Sequence, residues 1–309
     1  MSETEHGPVQ IWRGGVNTWD CDEMGHMNVR VYVARALEGL AGMALHLGQP
    51  CAFAPSATAT LIVREHRMRF HREARAGAGL HMTGGVAAMG ESDAVLVQLL
   101  THSETGEPCA SFVTRVAHAT PLDGRPFAWS PRAREAGKRL EVEIPRFAAA
   151  RSLIDVVDPL AEYGRADALP CVGQGVVAPE ACDVFGRMGA DRFMGRISDS
   201  TGPLMAPLRR ALAQAADVER LGGVALEYRL TYGDLPRAGD HVELRSGLAS
   251  LESKTARIVH WLMDPVSGRA YATAQAVVAN FDLDARKIIA IPEPMLAGLQ
   301  DQITPGLLA

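Results

Sequence analysis

The chain has 309 residues, 47% of them hydrophobic and 22% charged; that balance excludes a disordered protein, and the length exceeds what one core usually fills. Its formal net charge of -5 lacks the basic footprint of proteins that bind nucleic acid or anionic membrane, so neither is expected as a partner. No apolar run reaches the roughly 18 residues of a membrane span, and the acidic start from Met1 to His6 is unlike a secretory signal, so a cytoplasmic protein is expected.

In chain order, residues 9–16 predict a strand. Asp20-Cys21-Asp22-Glu23-Met24-Gly25-His26-Met27-Asn28 predicts a turn, and Val33, Leu37, Leu40, Ala44 and Leu47 then recur at helical spacing up to Gly48, a residue suited to ending a helix. From Leu61 the period falls to two. His66, Met68 and Phe70 alternate with Arg67 and Arg69, which predicts antiparallel strands with one covered face. Residues 86–89, 94–100 and 109–118 continue as strands, with a hairpin turn at Glu104-Thr105-Gly106-Glu107. The stretch 120–170 carries Pro121, Pro126, Pro131, Pro145 and Pro159 and reads as a connector, with a short helix over 132–140. Strands return at Leu248, 256–263 and 270–281. The five cysteines are an odd number, scattered and without a C-x-x-C pair, which predicts reduced thiols and no structural metal.

The second half repeats the first. Ala181-Cys182-Asp183-Val184-Phe185-Gly186-Arg187-Met188-Gly189 stands 161 positions after Asp20 to Asn28, and the same shift pairs Val16 with Val177, Tyr32 with Phe193, Arg35 with Arg196 and Glu38 with Asp199. A shift of 162 then pairs Glu65 to Phe70 with Glu227 to Tyr232, Arg75-Ala76-Gly77 with Arg237-Ala238-Gly239, and Ala110 with Ala272. One inserted residue accounts for the change, and collinear blocks of this kind mark a duplication. The expected division is a first repeat over 1–120, the connector over 121–170, a second repeat over 171–290 and a tail over 291–309. Strand, helix and a run of strands give an α+β unit in which one helix is wrapped by an antiparallel sheet. Pro203 and Pro207 fall within the second helix, where proline lacks the amide and clashes with the preceding turn, so that helix is expected to be shorter or kinked.

The motif Asp20-x-Asp22-x-x-Gly25-His26-Met27-Asn28, followed by Tyr32 and Glu38, resembles that of the hotdog-fold thioesterases of the 4-hydroxybenzoyl-CoA thioesterase type. The whole chain resembles a tandem, double-hotdog member of that family. The resemblance implies two hotdogs paired sheet to sheet, sites at the interface between them, a catalytic carboxylate at Asp22, and hydrolysis of an acyl-CoA to free acid and coenzyme A. Coenzyme A then enters only as part of the substrate, and no cofactor is expected.

Thioester hydrolysis needs a carboxylate that attacks the carbonyl or activates a water, and donors where charge develops on the carbonyl oxygen. Asp22 supplies the first, while Gly25, His26 and Met27, leading into the helix, are expected to offer amides for the second. His26 and Asn28 are further catalytic candidates, against ordinary structural roles. Met27, Tyr32 and Glu38 are candidate substrate contacts, although a solvated helix face also accounts for Glu38. Arg67, repeated as Arg229, is the candidate for a coenzyme A phosphate, because arginine grips phosphate with forked hydrogen bonds. In the second copy Asp183 and Gly186 remain, but Arg187 replaces His26 and Gly189 replaces Asn28. Asp183 is therefore either a second catalytic carboxylate or the ion-pair partner of Arg187 in a degenerate site. The alternatives are an acyl-carrier-protein thioesterase, a hotdog dehydratase using His26, and a noncatalytic acyl-CoA-binding protein. Further association into a homo-oligomer of double-hotdog chains is expected.

Overall fold

The computed structural model describes residues 6–156, 158–160, 166–304 and 306–307, and the side chains of all of these except 203, 204 and 207. Most of the acidic opening read above, residues 1–5, lies outside the described residues. The chain divides into two compact units: Met1–Ala150 with Cys182–Asp191, and Arg151–Ala181 with Arg192–Ala309. No helix among the described residues is long and apolar enough to cross a membrane.

Unit 1 opens with β1 (Val9–Gly15) and the motif loop, followed by α1 (Val29–His46). It continues through β2 (Thr60–Phe70), β3 (Gly79–Met89), β4 (Asp93–His102), β5 (Pro108–Ala119) and α2 (Pro131–Arg139). Its strands are antiparallel in the order β1-β3-β4-β5-β2. The apolar stripe of α1 is the reason the sheet has something to wrap: Val33, Ala36, Leu40 and Met43 are 0% exposed, and burying each large side chain contributes about 1.5–3 kcal/mol. Asn28 caps the helix, its Oδ1 accepting the Arg30 amide at 2.8 Å. The helix ends at Gly48, whose φ of +79° is left-handed.

A buried polar chain ties the sheet to this helix. His66 Nδ1 lies 2.9 Å from Thr114 Oγ1, Thr114 donates to Gln98 Oε1 at 3.1 Å, and Gln98 Nε2 donates to the Ala36 carbonyl at 2.8 Å. Burial pushes the His66 imidazole down to about 4, so the ring is neutral in the folded protein near neutral pH.

Unit 2 holds β6 (Cys171–Val176), most of α3 (Ala190–Ala216), β7 (Leu221–Tyr232), β8 (His241–Leu251), β9 (Ala256–Met263), β10 (Ala270–Asp282), β11 (Lys287–Ile289) and α4 (Glu293–Gly298). Its strand order β7-β10-β9-β8-β6, with β11 on β10, repeats that of unit 1. Of the two expectations for the second helix, shorter or kinked, the first is wrong: α3 has 27 residues against 18 in α1 and continues through Pro203 and Pro207. In β9 both faces are covered. Val259, Trp261 and Met263 are buried together with Ala166, Leu169 and Leu307, while Leu262 and His260 on the opposite side of β9 are buried as well.

The nominal connector is responsible for part of that cover. Glu227 accepts the amides of Arg151 and Ser152, Gln275 accepts that of Ile154, and Arg229 donates to the carbonyls of Ile154 and Val156. In unit 1, Arg69 donates to the carbonyls of Phe147 and Ala149.

The structural repeat also runs further than the sequence blocks. Trp129 N–H donates to the Glu91 carbonyl, as Ile291 does to that of Ser253; Val142 donates to Val86, as Thr304 does to Leu248. Each of these pairs keeps the shift of 162. Thus α4 stands where α2 stands in the first copy.

Candidate active site

The two motif loops have one backbone design. In the first, Asp22 Oδ1 accepts the amides of Met24 at 2.9 Å and His26 at 3.1 Å. The Asp22 amide donates to the His26 carbonyl at 2.8 Å, and Gly25 donates back to the Asp22 carbonyl at 3.0 Å. Gly25 is required because its φ is +78°, which costs a residue bearing Cβ about 1–2 kcal/mol. In the second, Asp183 Oδ1 accepts from Phe185 at 2.8 Å and Arg187 at 3.0 Å, and Gly186 has φ +77°.

The loops differ at the second carboxylate oxygen. Arg187 Nε and Nη2 both lie 3.3 Å from Asp183 Oδ2, so that charge is neutralised by a guanidinium of its own loop. Asp22 Oδ2 has no partner among the described residues. Its loop instead sends His26 elsewhere: His26 is 7% exposed, with Nε2 at 3.1 Å from Glu73 Oε2 and 2.9 Å from Arg75 Nη2. Whether Nε2 donates to Glu73 or accepts from Arg75 depends on the tautomer. Glu73 has Leu235 at the position 162 residues on, so the second copy lacks the carboxylate that would draw Arg187 away from Asp183.

The amides expected to polarise the carbonyl are already used. Gly25 and His26 donate within the loop, Met27 donates to the Ala74 carbonyl at 2.8 Å, and Asn28 donates to that of Asp20 at 2.9 Å. The helix starts only after them. Asn28 caps Arg30, and its carbonyl takes Val31 and Tyr32, leaving the Val29 amide as the donor of the first turn with no partner among the described residues.

The remaining candidates scatter. Met27 is 4% exposed and Tyr32 also 4%, both in the core. Tyr32 packs edge-on against Phe70 with ring centroids 5.1 Å apart, and its hydroxyl meets Cys109 Sγ at 3.5 Å. Burial, then Cys109, holds that hydroxyl well above the ordinary tyrosine range, and burial pushes the Cys109 thiol up to about 11. Glu38 is exposed and takes Trp12 Nε1 and Arg35 Nη1, with Arg35 also 3.6 Å from Asp20. Arg67 pairs with Glu65 at 2.7 Å, and its repeat Arg229 holds the connector. Sequence reasoning missed Glu73, Trp12 and Arg35; the first carried one signal, the exchange of Glu73 and His26 for Leu235 and Arg187 between the copies.

A family model described as the thioesterase-like superfamily matches residues 16–137 and again 177–299, in each copy from the motif loop through the strands that follow the helix to α2 or α4. The chain belongs to the thioesterase-like superfamily. Two solved structures share its fold over nearly the whole length. An acyl-ACP thioesterase from Bacteroides thetaiotaomicron has TM-score 0.65 and 11% identity, covering 90% of this chain and 100% of its own. The 12:0-ACP thioesterase from Umbellularia californica has TM-score 0.65 and 10% identity, covering 88% and 94%. No curated protein matches the chain. This thioesterase is a double hotdog and a thioester hydrolase, and its two loops are the duplicated form of one motif, unequal in charge.

Proposed function

We propose that the protein hydrolyses an acyl-CoA at the Asp22 loop, with Asp22 Oδ2 as nucleophile or general base. The supporting observation is the split of one carboxylate: Oδ1 is held by two loop amides, which fixes the group, and Oδ2 is left open. In hydrolysis an oxygen, from water or first from the carboxylate, bonds to the carbonyl carbon. The carbon–sulfur bond then breaks, and the thiolate leaves with the coenzyme. The Val29 amide, at the positive end of α1, is the donor offered to the carbonyl oxygen in place of those of Gly25 to Met27. Asp183, paired with Arg187, keeps a loop-building role only. Arg67, tied to Glu65, has no part in the reaction.

The test compares Asp22→Asn with Asp183→Asn, since asparagine keeps an oxygen for the loop amides and removes the charge. Thiol release from a panel of acyl-CoAs is expected to fall on the order of 100-fold or more in Asp22→Asn, the usual range for a lost acid–base group, and to change less than about twofold in Asp183→Asn. Equal losses in both, or none in the first, would remove the assignment. The same panel presented on an acyl carrier protein separates the two carriers: faster release from the coenzyme A thioesters is expected, and the reverse order would make the carrier protein the substrate.

A further inference from the structure

In each motif loop the residue four places after the aspartate gives its amide to the aspartate Oδ1: His26 at 3.1 Å in the first loop and Arg187 at 3.0 Å in the second. Its side chain therefore starts beside the carboxylate and can either return to Oδ2 or leave the loop. Arg187 returns, with Nε and Nη2 both 3.3 Å from Asp183 Oδ2. His26 leaves, toward Glu73 and Arg75 in the turn between β2 and β3.

The backbone brings that turn to the loop. Met27 donates to the Ala74 carbonyl at 2.8 Å, His26 and Arg75 form an isolated antiparallel bridge, and Ala74 is fully buried. The turn is anchored from behind as well, with His102 Nε2 lying 3.1 Å from the Glu73 carbonyl oxygen. Glu73 Oε2 meets both neighbours, at 3.1 Å from His26 Nε2 and 3.7 Å from Arg75 Nη2. The Glu73 side chain is only 24% exposed and that of His26 only 9%, so their attraction is less damped than that of a pair in open solvent. Arg75 recurs as Arg237 at a shift of 162, whereas Glu73 becomes Leu235. The arginine is common to both copies, and the carboxylate is the difference. Without it His26 would face a guanidinium alone, and Asp22 would be the anion left to it within its own loop.

We propose that Glu73 is a positioning residue for the reaction: it holds His26 Nε2 outside the loop and so keeps Asp22 Oδ2 free for the thioester. The assignment rests on Asp22 as the reacting carboxylate and requires no contact between Glu73 and the substrate. A masked carboxylate removes reactive molecules and leaves substrate binding in place, so the effect belongs to kcat rather than KM.

A double-mutant cycle in the full chain tests this. Glu73→Leu and His26→Arg each copy one residue of the second loop, and each alone leaves a way out. In the first, the side chain beside Asp22 is still an imidazole; in the second, the introduced guanidinium still has Glu73 to pair with. Together they are expected to close the loop on Asp22, lowering kcat at least about tenfold beyond the product of the two single losses, as contacting residues can couple. KM for the acyl-CoA is expected to change less than about twofold. Glu73→Gln, which keeps an oxygen for His26, should recover most of the turnover lost in Glu73→Leu. Losses that merely multiply overturn the proposal, as do losses that follow the melting temperatures of the variants instead of the cycle. A crystal structure of the double variant should place the introduced guanidinium within hydrogen-bond distance of Asp22 Oδ2, and finding it elsewhere overturns the proposal whatever the kinetics. Should Asp22→Asn leave turnover intact, the role given to Asp22 falls, while that crystal structure still decides whether Glu73 governs access to its oxygen.

Discussion

Asp22 shows how little of a functional residue lies in its identity. Asp22 and Asp183 occupy matching loops with matching amide bonds, and a single neighbour, Arg187, separates an open carboxylate oxygen from a neutralised one. Exposed pairs of this kind contribute little to stability; their effect here is on reactivity. Replacing Arg187 by His, the residue of the first copy, is expected to free Asp183 Oδ2 without disturbing the loop; thiol release that rises above the level of Asp22→Asn alone, and is lost again when Asp183→Asn is added, would show it. The buried histidines make a second prediction at this scale. His66 is held down to about 4 and His260 to about 3, both by burial, against about 6.5 in the unfolded chain. Between pH 6.5 and those values the unfolded chain carries protons that the folded chain does not, so stability is complete above 6.5 and falls as the pH drops. Denaturant unfolding at pH 7.5 and 4.5 should show a loss that is smaller by about 2–3 kcal/mol in His66→Gln, at about 1.4 kcal/mol per pH unit.

At the level of elements, α1 was legible and α3 was not, for a physical reason. The stripe Val33, Leu40 and Ala44 and the Gly48 stop are local signals, and the observed helix follows them. Proline costs about 3 kcal/mol inside a helix, but α3 has Phe193, Met194, Ile197 and Leu212 to bury, and packing on that scale exceeds the penalty. The connector shows no local signal beyond its short helix, because what orders the rest is long-range: carbonyls at 147–156 taken by arginines of distant strands. The match of α4 to α2 escaped detection since only backbone bonds are shared while Trp129 became Ile291. The approach of α1 to β1 gives the prediction here. A Cβ on Gly42 would run into the Ile11 carbonyl, so Gly42→Ala should destabilise by about 1–3 kcal/mol, as overpacked cores do. Helix propensity alone would have favoured alanine by about 1 kcal/mol. A fall in melting temperature, not a rise, is the expected reading.

Over the whole molecule, duplication of a fold was plain from the sequence, and the division of labour between the copies was not. The shifts of 161 and 162 identify equivalent positions, yet the consequences of each exchange depend on neighbours far along the chain, as Glu73 does for His26 and Trp129 for His118. The tail illustrates the same dependence. Removing residues 291–309 would strip β8 and its hairpin of the bonds from Ile291 to Ser253 and from Thr304 to Leu248. Hydrogen exchange is expected to quicken across β8 and β9 in the truncated protein while β3 and β4 keep their protection, because α2 performs the corresponding service in unit 1.

Unit 1 draws ten of its residues, Cys182–Asp191, from beyond the connector, and Arg30 reaches Asp191 there at 3.4 Å. A gene cut between the two repeats would therefore leave unit 1 incomplete. Two hotdogs that began as interchangeable copies have become parts of one indivisible reading frame, which commits them to be made, folded and inherited together.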